Sequence, residues 1–212
     1  MPTSSRSSTP IGKTPLWTHF TLPLAIVTGL LTPMIYHKFG GAATCVWLQI
    51  PMYSVHQLEE HYQDRFRLYI NRTVGQGQQA LTPTMVTIIN VFFVWLLDFV
   101  AFGATTQGHF WLGLSAIYLT IVNGILHILG ALRQMEYNPG LATAVLLFLP
   151  GGTWLLNQFN QASAAGRLEQ ILGLFLVLIL HVAIVLLTIA TGSQQIHLEQ
   201  SHQDGPSVGP TP

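Results

Sequence analysis

Six runs of predominantly apolar residues follow one another along the chain, at 17–36, 43–62, 84–103, 110–132, 141–159 and 168–191, with short polar segments between them. A bilayer core takes roughly 20 apolar residues per spanning helix. The pattern therefore predicts an all-α, polytopic membrane helix bundle of about six transmembrane helices. Residues 1–15, rich in Ser, Thr and Pro, read as a mobile N-terminal segment, 16–192 as a single membrane-embedded helical domain, and 193–212 as a mobile polar tail. Two runs carry helix breakers. Pro23 and Pro33 predict a kink or an early end in the first. Pro150-Gly151-Gly152 predicts that the fifth is a broken helix or a pair of half-helices, an arrangement tolerated at that depth only under a cover of protein or water.

Composition sharpens the class. Half of the 212 residues are hydrophobic and only 8% are charged, against about 25% in an ordinary soluble domain; the mean hydropathy is +0.45. Eight basic and eight acidic residues cancel, which argues against a nucleic-acid binder working through a basic face and against an acidic disordered module. The single Cys45 excludes an intrachain disulfide or a CxxC site and reads as a small apolar residue. No signal peptide is expected, because the first apolar run is too long and lacks an A-x-A site. With the N-terminus inside, Arg6, Lys13, Arg65, Arg67, Arg72 and Arg133 fall on the inner side and only Lys38 and Arg167 outside. That bias predicts cytoplasmic termini in a plasma or inner membrane. On this topology the Asn71-Arg72-Thr73 sequon faces the cytoplasm and is discounted.

Ionisable groups inside a span are costly and point to function. The second run ends His56-Gln57-Leu58-Glu59-Glu60-His61. On a helix His56 shares one face with both Glu59 and Glu60, and an imidazole and a carboxylate one turn apart can grip one metal ion. His127 lies in the fourth run, with Asn123 one turn before it, and His181 in the sixth. The second, fourth and sixth runs point the same way. At about 1.5 Å per residue, His56, His127 and His181 lie roughly 10, 8 and 15 Å from their inner ends. His56, Glu59, Glu60, His127 and His181 thus form a predicted metal layer, with Asn123 and Asn90 as supporting partners. His61 points about 100° away from Glu60 and ranks below the other three histidines. Asp98 reads as an interfacial carboxylate near the outer surface.

The run His56-Gln57-Leu58-Glu59-Glu60 resembles the HXXEE family of small multi-pass membrane proteins. Asn123-x-x-x-His127, and Tyr137-Asn138-Pro139-Gly140-Leu141-x-Thr143 followed by Leu149-Pro150, resemble that family's second block. The resemblance spans roughly residues 40–190. It implies polar positions at His56, Glu59, Glu60, Asn123 and His127, and no particular reaction. A weaker similarity to intramembrane CAAX-type proteases fails in detail: Arg65 comes one residue too late after Glu59-Glu60, and the Asn123/His127 order is reversed.

Imidazole with carboxylate and no thiol suits a divalent metal, zinc being favoured over iron or manganese. One Glu could ligate while the other takes a proton, so Glu59 and Glu60 are the expected catalytic pair. The leading expectation is a metal-dependent membrane hydrolase acting on an apolar or amphiphilic, lipid-soluble substrate. An iron-dependent membrane oxidase, a non-enzymatic carrier or transporter, and a structural protein with an interhelical His/Glu network are the alternatives.

Overall fold

A reversal of the chain at Gly40 sets the architecture. The computed structural model describes residues 13–203, with side chains described for 13–195. After a 3-10 turn (Leu16–Phe20), helix α1 (Thr21–Trp47) passes through Pro33 without a break. The non-helical residue is Gly40, at φ 80° and ψ −177°. A left-handed φ costs glycine nothing sterically, and here the chain folds back on itself. Trp47 Nε1 donates to the Thr28 carbonyl at 2.8 Å, and Leu24, Leu31 and Ile35 of the first arm pack on Trp47 and Ile50 of the second. The second arm continues into α2 (Gln49–His61). At its end the His61 ring meets Trp17 edge-on at 5.0 Å, so the start of the first arm and the end of the second lie side by side. The disruption expected at Pro23 and Pro33 is thus displaced to Gly40, where the backbone needs a residue without Cβ.

Two left-handed residues, Gln63 and Asp64 (both φ 58°), turn the chain from α2 into the short amphipathic α3 (Arg65–Thr73). Asn71 in α3 is buried and clips the following loop. Its Nδ2 donates to the Leu81 carbonyl at 3.0 Å, and its Oδ1 accepts from Leu81 N at 2.7 Å. The sequon asparagine is a structural clasp. Arg72 pairs with Glu136 at 2.7 Å, joining α3 to the residues just beyond α6.

The next span is one continuous helix made of α4 (Pro83–Thr87), a π-helical stretch (Ile88–Trp95) and α5 (Leu96–Thr105). Thr82 caps it by accepting from Met85 N at 3.1 Å, with Pro83 at the first helical position. Helix α6 (Phe110–Gln134) follows. Then come α7 (Leu141–Thr143), a second π-helical stretch (Ala144–Phe148) and α8 (Leu149–Ala162), again continuous. The break expected at Pro150-Gly151-Gly152 does not occur. Proline lacks an N–H and crowds the carbonyl four residues earlier; the wider π turn directly before Pro150 accommodates both defects. Helix α9 (Arg167–Gln203) runs well past residue 193, where a mobile tail is expected. The rest of that predicted tail, 204–212, and residues 1–12 lie outside the described residues.

Among the described residues five helical stretches are long and apolar enough to cross a membrane: Leu16–Thr73, which contains the α1/α2 hairpin, Pro83–Thr105, Phe110–Gln134, Leu141–Ala162 and Arg167–Gln195. Helix α6 occupies the centre and packs against α9, α5 and α8. Small residues let it approach its neighbours closely: Gly173 of α9 sits where a Cβ would come within 2.9 Å of Leu114 Cβ. The outward faces of α1, α5 and α9 expose Ile26, Leu30, Phe99, Phe175 and Leu186, the surface a bilayer would cover. Asp98 is not interfacial. It is fully buried, with both carboxylate oxygens free of hydrogen-bond partners. Depth along the sequence misplaces it because the face matters: Val94, Asp98, Ala101 and Thr105 form one buried stripe turned into the bundle.

Candidate metal centre

Helix geometry puts His56 and Glu60 one turn apart on α2, and α6 brings His127 against them. His56 Nε2 lies 3.5 Å from Glu60 Oε2, and His127 Nε2 lies 3.6 Å from Glu60 Oε1. All three residues are buried, and their ligand atoms fall within 4.8 Å of one another. The two imidazoles meet edge-on at 4.9 Å.

What holds each ring is as informative as the contact itself. His56 Nδ1 lies 2.7 Å from Thr143 Oγ1. That hydroxyl has one proton, and the Glu59 carboxylate takes it at 2.5 Å; Thr143 Oγ1 therefore accepts from His56 Nδ1–H. On His127, Nδ1 lies 2.7 Å from Asn138 Oδ1, while Asn138 Nδ2 donates to the His127 carbonyl at 2.8 Å. The amide is thus oriented with its oxygen toward the ring, and His127 Nδ1 carries the proton. In both histidines the outer partner holds a proton on Nδ1, so in the neutral ring an Nε2 lone pair faces Glu60. Metal-ligating histidines are held in this way. Two imidazoles and a carboxylate could hold a divalent metal and leave a fourth position for water or substrate, the donor arrangement of catalytic zinc and of some iron(II) sites.

The predicted five-residue metal set is not brought together whole. Glu59 turns away from Glu60 toward the 137–143 segment, where its two oxygens accept from the Tyr137 hydroxyl, Gly140 N (3.2 Å), Ala142 N (3.1 Å), Thr143 N (2.8 Å) and Thr143 Oγ1. A carboxylate receiving five donors at a helix N-terminus has little reason to leave for a metal or a substrate proton. Glu59 is a clamp. Burial, followed by the bond to Glu59, pushes the Tyr137 hydroxyl up to about 12. His181 also stands apart, with Nδ1 bonded to the Val177 carbonyl of its own helix at 2.9 Å. Asn123 reaches His56 Nε2 at 3.5 Å and Tyr53 Oη at 3.3 Å. Asn90 serves Gln57, accepting from its Nε2 at 3.0 Å, and its own Nδ2 donates to the Val86 carbonyl at 2.9 Å.

One residue lies closer to the site than its helical position suggests, and others have roles that no local pattern marks. His61 is buried with Nε2 3.0 Å from Glu60 Oε2, yet neither ring nitrogen has a hydrogen bond of acceptable geometry. The helix projection places the two residues on different faces, but the Glu60 side chain reaches across. Thr143 and Asn138, the partners of the two Nδ1 atoms, stand in the Tyr137–Thr143 motif, and only the folded chain shows what they do. Gly140, at φ 99°, lies against both rings: a Cβ there would come within 2.6 Å of His127 Cε1 and 2.8 Å of His56 Cε1.

The cluster opens on a cavity of about 300 Å³, at the small end of ligand pockets. Glu60, His61, His127, Asn123 and Asn138 line it together with apolar side chains such as Phe66, Ile70, Val86 and Leu126, and His181 and Thr188 enter its wall from α9.

The family of proteins of unknown function with an HXXEE motif matches residues 47–155, just over half of the chain. The protein belongs to the HXXEE family. Its motif residues are His56, Glu59 and Glu60, and the match also covers His127, Asn138, Gly140 and Thr143. No curated protein and no solved structure gives a significant match to the chain.

Proposed function

We propose that this HXXEE protein is a membrane-embedded, metal-dependent enzyme, a hydrolase in the leading reading, whose ion is held by His56, Glu60 and His127. The observation that carries this reading is the pairing of both histidines, through Nδ1, with Thr143 and Asn138, which in the neutral rings turns both Nε2 lone pairs toward Glu60. The single Cys45 lies outside the cluster, so the donor set favours zinc, with iron(II) or manganese as substitutes. A divalent ion here would polarise a water or a carbonyl oxygen. The Glu60 charge partly neutralises the ion in a low-dielectric interior. His61, whose Nε2 lies 3.0 Å from Glu60 while its Nδ1 has no partner, is the buried base available to take a proton, since Glu59 is fully engaged as a clamp. The mainly apolar cavity suits a lipid-soluble substrate arriving from the bilayer.

The proposed topology has six crossings, counting each arm of the α1/α2 hairpin as one. The pairing of Trp17 with His61 and of Arg72 with Glu136 supports placing Arg65, Arg67, Arg72 and Arg133 on one side, the cytoplasmic side under the positive-inside bias.

Elemental analysis of the detergent-purified protein tests the reading. It requires one zinc, iron or manganese per chain, lost in Glu60→Ala and in His127→Ala. A metal-free protein, in which both variants fold as the parent does, would reduce the cluster to an interhelical polar network.

A further inference from the structure

His181 faces the cavity without joining the metal cluster, and its chemistry constrains what the cavity takes. A carbonyl oxygen only accepts, so the 2.9 Å contact with Val177 O places the proton on His181 Nδ1. In the neutral ring Nε2 is then a bare acceptor. Thr188 lies two turns along the same face of α9 and also lines the cavity; it gives its proton to the Ile184 carbonyl at 2.9 Å. Across the cavity, the Tyr53 hydroxyl donates to the Leu119 carbonyl at 3.1 Å. The protons of these three wall groups are thus spent inside the protein, and the α9 wall offers acceptors only. A ligand group that itself only accepts, such as an ether or an alkyl ester, finds no partner there. A hydroxyl or an amide N–H does.

We infer that His181 is the substrate-recognition residue of this cavity, and that the substrate is a neutral lipid with a free hydroxyl or amide N–H, which His181 Nε2 receives. The inference rests on the proposed reading of the cavity as the substrate site. It assigns His181 to the ligand, in place of the metal role expected from the sequence.

The test measures binding of radiolabelled 1-dodecanol and of dodecyl methyl ether, which lacks only the donor, to the full chain in phosphatidylcholine nanodiscs. Metal content is determined on the same samples. One hydrogen bond corresponds to a preference of about tenfold for the alcohol. His181→Leu should bring the ratio close to one with metal content unchanged, and His181→Asn, which keeps an acceptor, should restore part of it. Equal binding of the two probes by the wild type, binding of neither, or an unchanged ratio in His181→Leu overturns the inference. Loss of metal in both His181 variants overturns it too, by returning His181 to the metal site. A metal-free protein that still prefers the alcohol through His181 defeats the enzyme reading alone.

Discussion

His56 of α2 and Thr143 of α7 are joined by a 2.7 Å hydrogen bond, and the same hydroxyl donates to Glu59. The first and fourth residues of the HXXEE motif are therefore linked through a residue more than eighty positions away. The motif is one half of a two-part device. Its other half is the Tyr137–Thr143 segment.

Thr143→Val keeps the shape of the side chain and removes the acceptor for His56 Nδ1–H. Metal affinity should fall 10–100-fold, the usual cost of losing an outer partner of a ligand. Asn138→Leu should do the same through His127. Competition with a chelator measures both, and affinities equal to the parent's would show that the Nδ1 contacts are incidental to binding.

Glu59→Ala leaves three backbone N–H groups and the Tyr137 hydroxyl without their acceptor, and the Thr143 hydroxyl with only the Gly140 carbonyl at 3.2 Å. The expected loss of stability is on the order of 2 kcal/mol, read as a lower unfolding temperature by tryptophan fluorescence. Glu59→Gln, which keeps one acceptor oxygen, should fall between. Were Glu59 a metal ligand instead, the parent and both variants would melt alike once the ion had been stripped from all of them.

Gly140→Ala should be far more damaging than a methyl group suggests. The backbone sits at φ 99°, which disfavours an L side chain by about 1–2 kcal/mol. The new Cβ would also strike both imidazoles. The expected outcome is a folded protein that no longer holds metal stoichiometrically. Full occupancy in this variant would place the ion away from the His56–His127 pair.

Burial, then the bond to Glu59, holds the Tyr137 hydroxyl up at about 12, against about 10 for a free phenol. Its neutral form is the one favoured in the folded state. This contribution to stability is therefore complete below pH 10 and is lost as the pH climbs toward 12. An alkaline titration of phenolate absorbance should contain a late step that is missing in Tyr137→Phe and earlier in Glu59→Gln. A difference titration between wild type and Tyr137→Phe that falls at the free-phenol value of about 10 would refute the contact.

Much of the molecule is legible without coordinates. Span starts such as Phe110 and Leu141 coincide with the observed helices, because apolar runs of bilayer length have few other uses. His56, Glu60 and His127 are marked by being ionisable where charge is costly. Other residues sit where local pattern does not place them. Pro150 looks like a break, but a π turn absorbs it. Asp98 was placed by its depth, and its depth does not say which way it faces. His181 shares the predicted layer of the other histidines, yet its ring is turned to its own helix and to the cavity.

The membrane class and the residues able to bear chemistry can be read from local composition and helical period. Which of two adjacent carboxylates meets the histidines depends on how distant segments pack. Glu59 and Glu60 share their sequence neighbourhood, and the difference between them comes from the Tyr137–Thr143 segment, which supplies five donors to one and leaves the other to His56 and His127. Contacts across eighty residues have no signature in local pattern, because they arise from how the helices pack.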